Sequence, residues 1–199
     1  MSVRHALLAL LHEGPKYGLQ LRQEFEAGTG EMWPLNVGQV YQTLNRLERD
    51  GLVEAADDDE GPQRTFRLTE AGGAELEEWL RTPPDASAPP RDELVIKVLV
   101  ALRLTDVDVA ELLQTHRRQL VELMQQYTRL KGDVGEDDLG LALVVDAELF
   151  RLDGLIRWLD AVDGRLARLP RGPDGERAAP ASRARTAPER LRRQIGSRR

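Results

Sequence analysis

The sequence predicts a mainly α-helical protein with a small β-hairpin, and three observations support this fold class. Apolar residues recur at helical spacing in several stretches of the 199-residue chain. The segments LVEAA and QRTFRL read instead as short strands on either side of an acidic turn, DDDEGP. An apolar content of 41% is enough for a core, so we expect a folded chain with one ordinary domain or two small ones.

Three helices are predicted before the hairpin. The segment VRHALLALL has a wide apolar stripe, and the pair GP that follows it ends the first helix. The segment YGLQLRQEFEAGTG predicts a second helix, which ends at its two closing glycines. After the turn EMWPLN, Asn36 is a suitable N-cap for a third helix from Val37 to Asp50, with Gly51 as its C-terminal stop.

The third helix separates into two faces when its residues are placed at about 100° intervals. One face carries the apolar side chains Val37, Val40, Leu44 and Leu47, with Tyr41 at its border. The opposite face carries Gln39, Gln42, Arg46 and Arg49, with Gly38 beside it near the helix start. A polar outer face is more often only solvated than functional, so its interpretation depends on the elements that follow.

A hairpin and a fourth helix complete this part of the chain. The second strand segment alternates polar and apolar residues, as a strand with one buried face does. Thr69 is placed to cap the fourth helix, with Glu70 in its first turn. Two helices joined by a tight turn, the second followed by a β-ribbon, describe a winged helix-turn-helix, a DNA-binding architecture.

The proline-rich segment TPPDASAPPRDE separates the two halves of the chain. We predict a winged helix domain over residues 1–81, a linker over 82–91, a helical dimerisation domain over 92–169 and a disordered basic tail over 170–199. The tail is rich in Gly, Pro, Ala and Arg, and it has no apolar periodicity.

Three helices are predicted in the helical domain, over 92–104, 106–131 and 137–169; the last two are long, and Gly132 is expected to stop the first of these two. Both carry apolar residues at heptad spacing, and a second apolar set widens the stripe of the later one. His116 occupies a heptad position, where a satisfied core histidine is the favoured interpretation; Glu148 either sets the pairing register or faces a cavity. Helices with two apolar seams require partners, so we expect a homodimer through these helices.

Several classes of protein are excluded by composition. The chain has no cysteine, and its three histidines lack metal-ligand spacing, so we expect neither disulfides nor a metal site. No glycine-rich phosphate loop and no nucleophile–base pair is recognisable, so we expect no cofactor and no enzymatic activity. The N-terminus does not resemble a secretory signal, and no apolar run is long enough to span a membrane, so we expect a cytoplasmic protein.

The charge is unevenly distributed. Residues 1–81 carry 8 Lys and Arg against 15 Asp and Glu, whereas residues 171–199 carry 9 against 3. The acidic first domain keeps an alternative open: a winged helix that binds another protein and has no specific affinity for DNA. Such a module would show no salt-dependent DNA binding.

Several ordered motifs resemble the PadR family of bacterial transcriptional regulators. They are NVGQVYQTL from Asn36 onward, with RLE and GLV after it, and RLTEAG, where that family's wing runs into its fourth helix. The pairs Gly14-Pro15 and Tyr17-Gly18 resemble the family's short signature between the first two helices. The resemblance covers about the first 80 residues; the second half is similar to the longer PadR proteins in architecture only.

The resemblance implies a regulator, usually a repressor, that binds a pseudo-palindromic operator and is released by a small molecule or another signal. It implies that the third helix enters the major groove and that the wing touches the minor groove or the backbone. Glutamine pairs with adenine and arginine with guanine, so Gln39 and Gln42 are the predicted base contacts. The other predicted DNA contacts are Asn36, Gly38, Tyr41, Arg46, Arg64, Thr65, Lys16 and Tyr17.

Two features of the sequence complicate this interface. The wing turn is acidic from Asp57 to Glu60, which should repel phosphate, so the wing is expected to hold this tip in solvent. The basic tail could supply part of the missing counterion release. For an effector, Trp158 and Trp79 are candidate aromatic walls of a pocket, although ordinary packing is the simpler interpretation of both.

Overall fold

The computed structural model describes residues 3–56, 64–84, 91–135 and 137–168. The acidic wing turn and the basic tail therefore lie outside the described residues. In chain order the elements are α1 (Val3–His12), β1 (Lys16–Tyr17), α2 (Gly18–Gly28), α3 (Val37–Arg49), β2 (Val53–Ala55), β3 (Thr65–Leu68), α4 (Glu70–Arg81), α5 (Glu93–Ala101), α6 (Val109–Asp133) and α7 (Leu139–Ala167). The predicted fold class, mainly α with a small β wing and long C-terminal helices, is confirmed.

The sheet has three strands, one more than the sequence predicted. Its order is β1-β3-β2 and both pairings are antiparallel. Lys16 is opposite Phe66 and Tyr17 is opposite Thr65, so β1 extends the hairpin on the side away from β2. This two-residue strand follows directly from the turn at Gly14, whose φ of 150° favours glycine.

The first core lies between α1, α2, α3, α4 and the sheet. Leu7, Leu8, Leu21, Leu44 and Phe66 are among its fully buried side chains. The buried face of α3 is the predicted one, with a single correction: Val37 is 36% exposed, because the first turn of the helix extends beyond the core. Val40, Leu44 and Leu47 are the buried side chains of α3. Burial of each contributes roughly 1.5–3 kcal/mol, and together they fix the orientation of the helix.

The predicted N-caps of α3 and α4 are confirmed. The Asn36 side chain accepts a hydrogen bond from the Gly38 N–H at 2.8 Å, and Thr69 Oγ1 accepts one from the Gly72 N–H at 3.0 Å. Thr69 Oγ1 also donates to the carbonyl oxygen of Gly51, at 2.8 Å. Gly51 has the positive φ, 73°, that was expected at the C-terminal stop of α3.

The structure divides into two compact units, and α7 contributes to both. The first comprises Met1–Pro84 together with Val134–Val144, and the second comprises Asp85–Asp133 with Val145–Arg199. In the first unit, the start of α7 packs against the end of α2: a Cβ atom at Gly140 would lie 2.1 Å from the carbonyl oxygen of Gly28. This close approach is possible because Gly140 has no side chain.

The second unit contains α5, α6 and the greater part of α7. Its core is formed by Val98, Leu113, Leu159 and Leu166. Contrary to prediction, Gly132 does not stop α6, which continues to Asp133. Several large apolar side chains of α5 and α7 are exposed in the single chain, and Phe150, with 78% of its surface exposed, is the extreme case. Among the described residues, no helix has the length and apolar character needed to cross a membrane.

Candidate nucleic-acid interface

The outward face of α3 carries polar side chains that are exposed. Gln39, Gln42 and Arg46 are all exposed, while Val40, Leu44 and Leu47 on the opposite face are completely buried. The exposed face therefore cannot rotate inward without taking these aliphatic residues out of the core. Arg49, at the last turn, is also exposed and lies 3.7 Å from Asp50.

The N-terminus of α3 brings three of the predicted contacts together. Asn36 is exposed, but its side-chain oxygen is occupied by the Gly38 N–H. Gly38 is exposed, and so it leaves room for close approach of a partner at the helix start. Tyr41 is half-buried: its ring lies 2.8 Å from the place that a Cβ atom at Gly18 would take. The phenol therefore packs against the start of α2.

The wing base carries Arg64 and Thr65. The Arg64 guanidinium donates to Glu48 of α3 and lies over the Phe66 ring, 5.0 Å from its centroid. Thr65 is half-buried and pairs with Tyr17 in the sheet. An ion pair between Arg64 and Glu48 joins the wing to α3, so a phosphate at Arg64 would have to compete with Glu48.

Lys16 is covered by two carboxylates and does not project freely from the surface, as a phosphate contact would. Only 8% of its surface is exposed. Its ammonium donates to Glu13 Oε2 at 2.6 Å and to a carboxylate oxygen of Glu24. These hydrogen bonds raise the pKa of Lys16, and the hydrogen bond from Lys16 is the main cause that lowers the pKa of Glu24. Tyr17 beside it is half-buried.

The remaining cations of the first domain are mostly paired. Of the eight Lys and Arg residues in 1–81, seven lie within 4 Å of a carboxylate, at distances that define ion pairs. Arg46 is the exception among the residues that the structure describes. It is therefore the cation of this surface that can meet a phosphate or a guanine without first leaving an acidic partner.

The two tryptophans predicted as pocket walls belong to different units. Trp79, on α4, stacks on His5 with ring centroids 4.6 Å apart and an interplanar angle of 5°. Trp158, on α7, is half-buried against the core of the second unit. A cavity of about 250 Å³ between α5, α6 and α7 is lined by other residues: Asp92, Glu93, Leu94, Lys97, His116, Gln119, Leu120, Arg151 and Leu155.

Two further residues, Asn45 and Glu148, bear on the sequence predictions. Asn45 is exposed at the edge of the α3 face, and the same helical projection that identified Gln42 would have found it. Glu148 forms an ion pair, at 2.8 Å, with Arg151, which lines the cavity. Within the described ranges, no group of three or more His, Asp or Glu side chains could hold a metal ion.

Comparison with known proteins gives two family matches in succession. The model described as the transcriptional regulator PadR-like family matches residues 7–78, and the one described as virulence activator alpha C-term matches residues 90–167. Among curated proteins, the chain is 24% identical to the negative transcriptional regulator PadR of Bacillus subtilis over 172 residues, or 80% of this chain and 94% of that protein. It is 25% identical to the probable transcriptional regulator Rv1176c of Mycobacterium tuberculosis over 181 residues, or 81% and 96%.

Solved structures with the same fold include Bacillus subtilis PadR in complex with operator DNA. That chain has a TM-score of 0.61 and 20% identity, with coverage of 83% of this chain and 99% of its own. The same protein in complex with p-coumaric acid has a TM-score of 0.59 and 22% identity, with coverage of 82% and 97%. Both curated relatives are named transcriptional regulators, which confirms the expectation that the chain is not an enzyme.

Proposed function

Because the chain belongs to the PadR family of transcriptional regulators, we propose that it is a repressor that binds a pseudo-palindromic operator as a homodimer. A small-molecule effector would release it. Such a repressor acts in the bacterial cytoplasm, where its DNA is located. The observation that carries the proposal is the polar face of α3, which is held outward by the completely buried Val40, Leu44 and Leu47.

The side chains on this face have the chemistry of base readout. The amides of Gln39 and Gln42 would each pair with the N6 and N7 edge of an adenine, for roughly 1–3 kcal/mol of discrimination per pair. Arg46 would meet a guanine or a phosphate. Asn45 adds one further exposed amide that could contact a base, and Tyr41 lies beside it at the border of the helix face.

Backbone contacts would come from the two ends of the interface. Asn36 and Gly38 lie at the N-terminus of α3, where the helix dipole and the backbone N–H groups favour a phosphate. Arg64 and Thr65 would reach the sugar–phosphate backbone from the wing base. Tyr17, which pairs with Thr65, is the remaining candidate of this group.

Dimerisation through the C-terminal helices would cover apolar side chains that the single chain exposes. Leu139, Leu143 and Phe150 follow one another at helical spacing on α7, each with more than half of its surface exposed. An exposed apolar surface of this kind is typical of a protein interface. Light scattering should give twice the chain mass of 22.3 kDa, and a monomeric mass at micromolar concentration would contradict this part of the proposal.

The effector is proposed to be a small organic molecule that changes the spacing of the two α3 helices, which must be about 34–36 Å apart to enter successive major grooves. The cavity of the second unit offers Lys97, His116 and Arg151 beside the apolar Leu120 and Leu155. p-Coumaric acid, which Bacillus subtilis PadR binds, is a first compound to add to the protein–DNA complex. An effector that binds the protein but leaves operator affinity unchanged would contradict this mechanism.

The proposal is tested by DNA binding across a salt series. Wild type, the Gln39→Ala/Gln42→Ala double variant and a Gln125→Ala/Gln126→Ala control would be titrated with the gene's own upstream DNA and with a scrambled duplex. The control makes the same change at two exposed glutamines of α6. We expect tight, salt-dependent binding to the upstream duplex that is lost only in the α3 variant.

Two results would point elsewhere. Equal weak binding to both duplexes, unchanged in the α3 variant, would mean that α3 does not read bases. Absence of binding even at low salt would favour a winged helix that binds another protein, consistent with the excess of seven negative charges that 8 Lys and Arg against 15 Asp and Glu give residues 1–81.

A further inference from the structure

Three consecutive residues, the two of β1 and the first of α2, contact the two elements that would touch DNA. Lys16 and Tyr17 pair with Phe66 and Thr65 of the wing strand β3. Gly18 starts α2 and receives the ring of Tyr41 from α3, at 2.8 Å from its missing Cβ atom. The segment 16–18 therefore lies between the wing and the recognition helix, and a displacement of it would change their relative position.

Lys16 fixes this segment to the rest of the unit. Its ammonium is held by Glu13, which directly follows α1, and by Glu24 on α2. Glu24 is itself held by Gln20, whose Nε2 donates to its second oxygen at 2.9 Å. With 8% of its surface exposed, Lys16 is largely covered, and these carboxylates accept hydrogen bonds from its ammonium where little water can reach it.

We propose that Lys16 is a positioning residue for DNA recognition, which through Glu13 and Glu24 fixes the wing strand relative to α3. The inference rests on the proposed function, since the wing and α3 matter together only if both meet DNA. Lys16 itself touches no nucleic acid. Its removal would let β1 shift against α2, so that α3 and the wing could no longer fit one operator at the same time.

A direct phosphate contact is the competing role for Lys16. The two roles predict opposite effects of Glu24→Gln on the affinity for DNA. If Lys16 bound phosphate, Lys16→Met would reduce the salt slope by about one and weaken all duplexes alike. Glu24→Gln would then remove a nearby negative charge and strengthen binding. If Lys16 is a positioning residue, both substitutions weaken specific binding and neither changes the salt slope.

The experiment compares full-length wild type with Lys16→Met, Glu24→Gln and the double variant, on the upstream and scrambled duplexes. We expect roughly tenfold weaker binding to the upstream duplex for each single variant. The double variant should be no weaker than Lys16→Met, because both changes break one network. Lys131→Met is the matched control: Lys131 forms an exposed ion pair with Asp146 at 2.6 Å in the second unit, and its loss should leave binding unchanged.

Hydrogen exchange provides a readout that needs no DNA. Exchange of the amides in 16–17 and 65–66 should accelerate in Lys16→Met and Glu24→Gln, while the amides of Leu7 and Leu8 in α1 stay protected. Accelerated exchange in α1 as well would mean that Lys16 only stabilises the whole fold, and would overturn the inference. Lys16→Arg, which keeps the charge, should retain most of the affinity.

The outcomes separate the inference from the proposed function. Wild-type protein without sequence preference would refute specific DNA recognition, and positioning for it would fall with that proposal. Wild type with a sequence preference that Lys16→Met and Glu24→Gln both leave intact would refute the inference alone. A reduced salt slope in Lys16→Met, with stronger binding by Glu24→Gln, would assign Lys16 to the DNA backbone instead.

Discussion

Substitution of Gly72 by alanine should disrupt the junction between α4 and the end of α3. Gly72 lies in the first turn of α4, and a Cβ atom there would be 2.1 Å from the carbonyl oxygen of Leu52 and 2.7 Å from Leu68 Cδ1. Leu52 immediately follows Gly51, the C-terminal stop of α3. The contact therefore joins α4 to the exit of the proposed recognition helix.

The magnitude follows from how far the backbone would have to move. An ordinary contact begins at 3.4 Å, so the Leu52 carbonyl and α4 must separate by more than 1 Å. That carbonyl accepts the Thr69 N–H at 3.1 Å, and the Leu52 N–H donates to the carbonyl of Leu47 at 2.9 Å. Overpacking costs about 1–3 kcal/mol and loss of one hydrogen bond about 0.5–1.5 kcal/mol, which together give roughly 1.5–4.5 kcal/mol.

The neighbouring glycine provides the control. A Cβ atom at Gly73 would meet nothing closer than Leu68 Cδ2 at 3.9 Å. Gly73→Ala should therefore stabilise α4 by about 0.5–1 kcal/mol, the difference in helix propensity. In thermal unfolding followed by circular dichroism, Gly72→Ala should lower the Tm by roughly 6 °C or more, at about 4–8 °C per kcal/mol for a domain of 60–100 residues. Equal Tm values for the two variants would refute the steric argument.

Two further predictions concern the start of α3 and the ion pair of Lys16 and Glu24. Asn36→Ala should lower the free energy of unfolding in urea by about 0.5–2 kcal/mol, because the Gly38 N–H loses its cap, while Asn36→Ser should keep most of it; no difference between alanine and serine would contradict the cap. The pair of Lys16 and Glu24 should stabilise the protein between pH 4.5 and 10.5, the ordinary pKa values of the two groups. Because the pKa of Glu24 is lowered in the folded protein, this stabilisation is lost as the pH falls through that lowered pKa. Because the pKa of Lys16 is raised, the stabilisation is also lost as the pH rises through that raised pKa. Urea denaturation of wild type and Lys16→Met should therefore differ most at neutral pH; a difference that persists undiminished at the lowest pH would contradict the pair.

Sequence alone predicted the face of α3 because that face follows from helical periodicity, a property of neighbouring residues. The caps Asn36 and Thr69 were predictable for the same reason. The strand β1 was not, since two residues carry no period, and its pairing depends on Phe66, fifty positions later. The ion pair of Lys16 was not predictable from the sequence, because its partner Glu24 lies on the next helix and the two side chains meet only in the folded chain.

One contact within the first unit has no counterpart in the sequence pattern. The proline-rich segment indicates a boundary, but the first turns of α7 return to the first unit, where Gly140 meets the backbone of Gly28. Such a contact has no side-chain signature, because it depends on the absence of side chains. Apolar periodicity alone therefore predicts that the whole of α7 belongs to the helical domain.

The electrostatics of the first domain raise the question of how an acidic surface could bind a polyanion. Ion pairs neutralise many of its carboxylates, and Glu48 is held by Arg64 within the proposed interface itself. A phosphate that takes Arg64 must release Glu48, so this contact is an exchange of partners and gains little net affinity. Arg46 has no carboxylate partner among the described residues and needs no such exchange. Specific affinity should therefore depend on Arg46 and on Gln39 and Gln42, the proposed base contacts, more than on the wing. In this the proposed interface differs from a strongly basic DNA-binding surface.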